Sequence, residues 1–530
     1  MAKTGFDILI RGGMVLDGSG SDPFAADIGI VRDRISFIGS AEGAVAEMII
    51  DAGGLAVAPG FIDTHSHSDF TILADPRAEG KISQGITTEI SGNCGMSAAP
   101  LYDKARERRE DDLKELGISE RWNTLEEYFV LIRKRGIAVN MAVLAGHGNI
   151  RGSVVGYDDR EPDAREYSEM KRLLSDTLDQ GAIGLSTGLI YPPGLFADTE
   201  ELVGLSLFLG ERNLIYASHM RSEGDQLLEA AAEVVRIGRE SGARVHISHI
   251  KTSGEKNWHK ADDLISLLGE TRRSGIPITC DRYPYTASST DLDAVLPAWT
   301  YDGGNDAELK RLQDPDQRKR IAREILEQIS GDGYWNGVTV ASVATEKNRW
   351  MEGKSIVSIG ARLGLTPIDT IFQVLLDERL RVGAIFASMN EENLRKFLSL
   401  PFCMVGTDSS ARSFEGPTRI GKPHPRGFGA FPRLLGGLVR EEGLFSLQEA
   451  VRRVTSLAAG TFGLRERGLV REGMFADLVI FDPGTIRDRS TFDEPFQGPE
   501  GVHYVLVNGM PAVWEGRANG RLQGRILGVS

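Results

Sequence analysis

The feature that most constrains the fold of this chain is the alternation of short apolar runs with amphipathic stretches through its middle. Strand and helix in repeated succession are typical of a parallel sheet with helical crossovers. Eight apolar runs lie near residues 60–65, 86–90, 138–145, 182–186, 214–218, 244–248, 277–281 and 402–406. Amphipathic helices are expected between them, for example over 163–180, 223–241 and 259–274. Eight strands favour a closed barrel, so the sequence predicts an α/β fold built on a distorted (β/α)8 barrel of the TIM type.

The two ends of the chain have a different pattern. Residues 1–58 and 469–530 hold short β-type runs separated by Gly and Asp, and we predict that they pair into one small β-sandwich domain. The barrel then occupies 59–284 and 401–468. The interval 285–400 is much longer than a crossover requires, and we interpret it as a lid-like insertion over the barrel mouth. Within it, the patterns predict helices at 304–330, 367–379 and 391–399 and a strand near 337–343.

Charge and cysteine content limit the partners and the compartment. A formal net charge of −14 argues against nucleic acid or an anionic membrane as a main partner, because both require a basic surface. No apolar run is long enough to span a bilayer, and the first residues lack a signal-peptide pattern. The three cysteines are far apart, which does not suit a disulfide framework. We therefore expect a cytoplasmic protein with a small-molecule substrate, whose oligomeric state the sequence leaves open.

Chemically reactive side chains follow nearly every predicted strand. Catalytic residues of a (β/α)8 barrel come from the carboxyl ends of its strands, which meet at one mouth. His65 and His67 follow the first strand, and residues i and i+2 of an extended segment point to the same side. Cys94 follows the second strand, His219 the fifth and His249 the sixth. Imidazole and thiolate are preferred zinc ligands, so the sequence predicts a zinc site at this mouth.

Asp408, after the eighth strand, has two interpretations. It could cap a helix, since Ser409 and Ser410 follow it. As a general base beside a metal, it would take a proton from water and later give it to a leaving amine. Cys94 likewise could be a small buried hydrophobe, but its place after a strand favours a metal ligand.

The remaining histidines and cysteines are given other roles. We interpret His246 and His259 as structural or surface residues, and Cys280 and Cys403 as packing residues inside apolar strands. His147, between two glycines, stays undecided between a supporting role and a direct one.

Several motifs together resemble the D-aminoacylase (N-acyl-D-amino-acid deacylase) family of the amidohydrolase superfamily. The resemblance covers about residues 5 to 515, and its most specific mark is a cysteine in place of the carboxylated lysine of many relatives. The motifs are Pro59-Gly-Phe-Ile-Asp-Thr-His65-Ser-His67, Gly92-Asn-Cys94-Gly, Gly184-Leu-Ser-Thr-Gly-Leu-Ile-Tyr191-Pro-Pro-Gly, Ser218-His219-Met-Arg, Ser248-His249-Ile-Lys251, Tyr283-Pro-Tyr285, Gly406-Thr-Asp408 and His424-Pro-Arg426.

This resemblance implies a zinc-dependent hydrolase of N-acyl-D-amino acids. It implies one tight zinc held by Cys94, His219 and His249, and a second, weaker site at His65 and His67. Asp408 would be the acid and base. The positions that match those holding the substrate carboxylate and carbonyl are Tyr191, Lys251, Tyr283, Ser288 and Arg426. Residues 288–297 hold no Lys or Arg, so we expect a neutral or apolar substrate side chain.

Rival hypotheses remain open at this stage. One is a cyclic-amide hydrolase of the dihydroorotase or hydantoinase kind, which the cysteine at position 94 disfavours. Another is a dipeptidase acting on peptides that end in a D-residue, since an aminoacyl and an acyl group present the same amide. A third is a non-catalytic scaffold, which the presence of all five metal-ligand candidates and Asp408 disfavours.

Overall fold

The barrel predicted from the alternation is present. The computed structural model describes residues 5–329 and 333–528. The segments that follow the first and last barrel strands are joined by a bridge between Ser66 and Ser409 and a 2.8 Å hydrogen bond from Asp408 N–H to the His65 carbonyl. The predicted fold class is therefore confirmed. The eight parallel strands are Phe61–Asp63, Ile86–Ser91, Asn140–Val143 continued by Ala145–Gly146, Gly184–Gly188, Ile215–His219, Arg244–Ile247, Ile278–Asp281 and Cys403–Met404.

Helices surround the barrel where the sequence places amphipathic stretches. Ala164–Asp179 begins after Asp163, whose carboxylate accepts two backbone N–H hydrogen bonds of 2.8 Å. Its buried face repeats at the helical spacing through Met170, Leu174 and Leu178. The other helices of this layer are Asp103–Glu115, Leu125–Arg135, His147–Val154, Thr199–Glu211, Leu227–Ser241, Ala261–Arg273, Glu391–Leu398, Arg426–Arg433 with its π-helical continuation Leu434–Glu441, Leu447–Arg453 and Ser456–Phe462.

The two chain ends meet in one sheet outside the barrel. Ala56–Pro59, from the N-terminal part, pairs antiparallel with Leu478–Phe481, from the C-terminal part. Alternate residues of this sheet, among them Ile8 and Ile10 on strand Gly5–Val15 and Ile480 on strand Leu478–Phe481, form a separate apolar core. The other strands of the sheet are Gly5–Val15, Phe24–Val31, Arg34–Gly39, Val45–Asp51, Val502–Val507, Met510–Trp514 and Arg517–Ala518.

The insertion before the eighth strand is a subdomain with its own core. Its antiparallel sheet has the order Ala287–Asp291, Val382–Ala387, Val338–Val343. Buried Ile321, Ile356 and Phe372 belong to a core distinct from that of the barrel. Its helices are Asn305–Gln313, Pro315–Gln328, Ile356–Leu363 and Pro367–Asp377. Residue 330, the end of the helical run predicted over 304–330, lies outside the described residues.

Two predicted boundaries differ from the structure. Helix Glu391–Leu398, which we assigned to the insertion, packs Phe397 and Leu398 into the barrel core, so it serves as the crossover into the eighth strand. The segment Ile526–Leu527, which we assigned to the β domain, pairs in parallel with barrel strand Asn140–Val143. Both segments are short, and their partners are distant in sequence, so local pattern carries no information about where they pack.

Among the described residues, no single helix is both long and apolar enough to cross a bilayer. One pair of helices, Ile356–Leu363 and Pro367–Asp377, meets the length and composition criteria only when the two are joined, and it is bent by 88°.

Candidate metal centre

The ends of the first, second and sixth barrel strands bring a thiol between two imidazoles. Cys94 Sγ lies 3.3 Å from His65 Nε2 and 3.4 Å from His249 Nε2. All three side chains are almost completely buried. The three donor atoms lie close enough together to hold one metal ion.

A second group of possible metal ligands, His65, His67 and Asp408, lies next to the first. His67 Nε2 lies 3.2 Å from Asp408 Oδ1, and His65 Nε2 lies 3.6 Å from the same oxygen. The other oxygen of Asp408 forms an ion pair with Arg426 Nη1 at 2.8 Å. His65 is therefore shared between the thiol group and the Asp408 group.

His219 and His249 form a third group with a residue that the sequence did not point to. The two imidazole rings are 4.4 Å apart, centroid to centroid. Glu223 Oε1 lies 2.9 Å from His249 Nδ1, and Glu223 Oε2 lies 3.8 Å from His219 Nε2. The Lys251 ammonium contacts Glu223 Oε1 and lies 2.8 Å from His249 Nδ1. Within the part of the chain that the structure describes, neither ring nitrogen of buried His219 has a hydrogen-bond partner.

Three of these side chains are carried by strained backbone. Cys94, His249 and Asp408 have φ angles of 53°, 37° and 48°, in the left-handed region that residues other than glycine rarely adopt. Such conformations cost about 1–3 kcal/mol each and cluster at functional sites. The backbone before Asp408 also packs tightly against His65, since a Cβ added to Gly406 would lie only 2.5 Å from the Cβ of His65. The fold thus holds these donors at some cost in stability.

The electrostatics of the centre favour charged side chains in spite of burial. Burial opposes the thiolate of Cys94, but His65 and His249 outweigh it and hold the pKa of the thiol well below its usual value. Burial likewise opposes the carboxylate of Asp408, but Arg426 and His65 hold its pKa well below the ordinary range. A thiolate and a carboxylate at one mouth suit a divalent cation.

The residues expected to hold a substrate line the same cavity, whose volume is about 1340 Å³. Tyr191 Oη lies 3.0 Å from Thr290 Oγ1, and its ring packs edge-on against His219. The hydroxyl of Tyr283 is buried and has no partner among the described residues. Ser288 lies on the insertion strand, opposite Phe386 in the register of the sheet. Lys251 and Arg426, the two expected cations, are both paired with carboxylates, Glu223 and Asp408.

Comparison with known proteins places most of the chain in one family. The model of an amidohydrolase family matches residues 48–294 and 341–513. The chain belongs to this amidohydrolase family. Residues 1–47, 295–340 and 514–530 are unmatched, and the middle interval falls inside the insertion and includes its helices Asn305–Gln313 and Pro315–Gln328. The family match thus covers both barrel segments and, in the β domain, the strands Ala56–Pro59, Leu478–Phe481 and Val502–Val507.

Relatives of this amidohydrolase include enzymes with different named substrates. The chain is 36% identical to a D-aminoacylase of Alcaligenes xylosoxydans xylosoxydans, over 98% of this chain and 97% of the relative. It is also 36% identical to the N-acyl-D-glutamate deacylase of the same organism, over 98% and 96%. A crystal structure of N-acyl-D-glutamate deacylase from Bordetella bronchiseptica, complexed with zinc and a phosphonate inhibitor, superposes with a TM-score of 0.84. That structure is 33% identical, and the match covers 99% of this chain and 100% of the other.

Several residues of the amidohydrolase centre were missed by the sequence argument. Glu223 lies in the loop after the fifth strand, four residues beyond His219. A loop has no regular hydrophobic spacing from which the direction of its side chains could be predicted. Buried Lys81 binds Asp63 Oδ2 and Thr407 Oγ1, each at 2.6 Å, and so ties the ends of the first and eighth strands together. Arg109 reaches the cavity wall from helix Asp103–Glu115. The only available signal was their position shortly after, or between, strands that carry ligands.

The other histidines have structural partners. His246 is buried, with its two ring nitrogens 2.9 Å from Thr279 Oγ1 and 2.9 Å from Asp281 Oδ2, and His259 is exposed on the surface. His147 Nε2 lies 2.7 Å from Glu201 Oε1, away from the donors described above. His424 donates to the Ala287 carbonyl at 3.0 Å and accepts from the Arg426 N–H.

Proposed function

We propose that this amidohydrolase is a zinc-dependent N-acyl-D-amino-acid deacylase, which cleaves the amide to a carboxylate and a free D-amino acid. The observation that carries the proposal is the placement of the Cys94 thiol between two imidazoles, with Asp408 3.6 Å from one of them. The names of the relatives that align over nearly the full chain supply the substrate class. The D preference rests on those relatives.

The donor set fits zinc. A tetrahedral zinc with Zn–S of about 2.3 Å and Zn–N of about 2.0 Å separates sulfur and nitrogen by about 3.5 Å, close to the 3.4 Å between Cys94 Sγ and His249 Nε2. His219 adds two buried ring nitrogens that have no partner among the described residues. We therefore assign the tighter zinc to Cys94, His219 and His249, with His65 within reach of the same thiol, and a weaker site to His65 and His67.

The chain's own residues would carry the proton and the developing charge. When bound, zinc supplies a Lewis acid that polarises the acyl carbonyl and lowers the pKa of a nearby water. Asp408 accepts the proton of the attacking water and returns it to the amine nitrogen as the C–N bond breaks. The unpartnered hydroxyl of Tyr283 is available to donate to the carbonyl oxygen as negative charge develops on it.

Two cations would hold the substrate carboxylate. Lys251 and Arg426 both lie near the Tyr283 ring, with the Lys251 ammonium 5.9 Å and the Arg426 guanidinium 4.5 Å from its centre. Ser288 and Tyr191 line the adjoining wall of the cavity and add hydroxyl donors. Charge-assisted hydrogen bonds from such groups are about twice as strong as neutral ones.

For the substrate side chain we propose neutral or apolar D-residues. Equal identity to a D-aminoacylase and to an N-acyl-D-glutamate deacylase does not choose between side-chain classes. The cavity wall includes Met96, Leu195 and Leu296. It also includes Arg109, Arg221 and Lys256, which are paired with Asp112, Glu233 and Asp225, and Arg412, which donates to the Thr418 and Ile420 carbonyls. An anionic side chain would have to draw one of these cations away from its partner, as the substrate carboxylate does with Lys251 and Arg426.

The experiment measures release of free amino acid from N-acetyl-D- and N-acetyl-L-methionine, together with the metal content of the same sample. Release from the D form alone, with about one zinc per chain that a chelator removes along with activity, supports the proposal. No release from either form with zinc still bound would favour the cyclic-amide hydrolase. Absence of both zinc and activity would favour the scaffold.

The size of the cavity favours a second candidate within the same chemistry. A volume of about 1340 Å³ exceeds the ~300–1,000 Å³ typical of drug-sized ligand pockets. The cavity therefore has room for an aminoacyl group in place of acetyl. A kcat/KM higher for Ala-D-Met than for N-acetyl-D-methionine would identify a dipeptidase acting on D-residue-terminated peptides.

A further inference from the structure

Glu223 is a carboxylate in the cavity wall that the proposed mechanism does not use. Its side chain is 13% exposed and contacts His249, His219 and Lys251. Its backbone carbonyl accepts a 2.7 Å hydrogen bond from Ser253 N–H, which fixes the loop that carries it against the segment after the sixth strand. Burying a carboxylate costs free energy of desolvation, which only its contacts with these two histidines and the lysine can offset.

We propose that Glu223 is a positioning residue that sets the tautomer and the orientation of His249 for the metal. This inference rests on the proposed function, because it requires that His249 be a ligand. His249 Nε2 faces Cys94 Sγ at 3.4 Å, so Nε2 must present its lone pair to a metal bound there. The ring proton then lies on Nδ1 and needs an acceptor.

Among the described residues, Glu223 is the one carboxylate close enough to supply that acceptor. Two groups approach His249 Nδ1: Glu223 Oε1 at 2.9 Å and Lys251 Nζ at 2.8 Å. An ammonium has three donors and no acceptor, so Lys251 would impose the opposite tautomer, with the proton on Nε2. The Glu223 carboxylate lies within ion-pair distance of both Nδ1 and the Lys251 ammonium, so it can hold the ammonium and still offer an oxygen to a proton on Nδ1. Carboxylates behind metal-bound histidines typically change metal affinity by about 10–100-fold.

The test measures zinc affinity rather than turnover. Zinc dissociation constants are measured by competition with a chromophoric chelator for the wild-type protein, Glu223→Gln and Glu233→Gln. Glu233 is a matched control, because it is 11% exposed and ion-paired with Arg221 at 3.0 Å, but does not contact a proposed ligand. We expect zinc to bind about 10–100-fold more weakly to Glu223→Gln and unchanged to Glu233→Gln. Equal affinity of Glu223→Gln and wild type would overturn the proposal.

Two further variants separate the alternatives. Lys251→Met leaves Glu223 as the acceptor, so its zinc affinity should stay within about threefold of wild type; a loss as large as that of Glu223→Gln would overturn the proposal. Should Glu223→Gln fail to fold, Glu223→Asp withdraws the carboxylate by one methylene and should also bind zinc more weakly than wild type, whereas unchanged affinity in that variant would overturn the proposal. Failure of the proposed function would look different, because the wild-type protein itself would then bind no zinc or release no amino acid.

Discussion

Arg426 Nη1 lies 2.8 Å from Asp408 Oδ2, while Asp408 Oδ1 faces His67 Nε2 at 3.2 Å. The Asp408 carboxylate, which we propose as the base, is thus held by Arg426 through one oxygen, and its other oxygen points towards His67. Arg426 keeps Asp408 ionised, since burial alone would raise the pKa of the carboxyl group. A base fixed in this way needs no rearrangement to accept a proton.

Replacing Asp408 by Asn should abolish turnover without removing the metal. An amide cannot accept the proton of water, so kcat should fall by about 10²–10⁴-fold. Steady-state kinetics and metal analysis of the same sample check this. Asp488→Asn, another partly buried carboxylate beside an arginine, serves as the control and should keep its activity. Near-normal kcat in Asp408→Asn would assign the base to another residue.

Replacing Cys94 by Ala should release the tighter zinc. The thiolate is the charged donor of the group, and its loss leaves neutral imidazoles around the ion. Metal analysis after dialysis against a weak chelator should find zinc in wild type and not in the variant. Cys403→Ala is the matched control, because Cys403 is also buried but packs in the barrel core. Equal zinc in both variants would contradict the role of Cys94.

Replacing Lys251 by Met should weaken substrate binding more than it slows the reaction. A lost charge-assisted contact to the substrate carboxylate costs about 1.5–3 kcal/mol, or roughly 10–100-fold in KM. The check compares N-acetyl-D-methionine with its C-terminal amide, which lacks the carboxylate. Only the acid should lose affinity, and an equal loss for both compounds would show that Lys251 acts on something other than the carboxylate.

Glu308 in the insertion should make stability fall as pH rises. Burial and the neighbouring Asp293 raise the pKa of Glu308 to about 8 in the folded protein, against 4.5 in the unfolded chain. The stabilising contribution of the protonated form is complete below the unfolded pKa and is lost as pH rises through about 8. Thermal unfolding should therefore show Glu308→Gln to be more stable than wild type by about 3–5 kcal/mol at about pH 9, and close to it at about pH 5.

The control for this prediction is Glu327→Gln, on an exposed position of the neighbouring helix Pro315–Gln328. It should unfold like wild type at both pH values. A stability of Glu308→Gln that tracks wild type across the range would mean that Glu308 ionises normally in the fold.

The strands and the candidate ligands could be predicted from the sequence because both depend on the order of apolar and polar residues over a short stretch of chain. Each apolar run ends in a polar residue, and the carboxyl ends of parallel strands meet at one mouth, so His65, Cys94, His219 and His249 could be expected to converge. The cytoplasmic location and the substrate side chain stay predictions, since no contact within the chain reports on them.

Only the tertiary structure decided what supports those ligands. Glu223, Lys81 and Arg109 lie in loops or on helices whose spacing resembles that of any solvated charged residue, and their burial arises from packing against segments distant in the sequence. The Asp408–Arg426 pair and the Glu223–His249 contact depend on loop conformation, including left-handed backbone at Asp408 and His249. The sequence by itself determined which strand end carries each donor, because a strand and the residues that follow it are recognisable within a short stretch of chain. Which charged side chains face those donors was decided by packing between segments that are distant in the sequence.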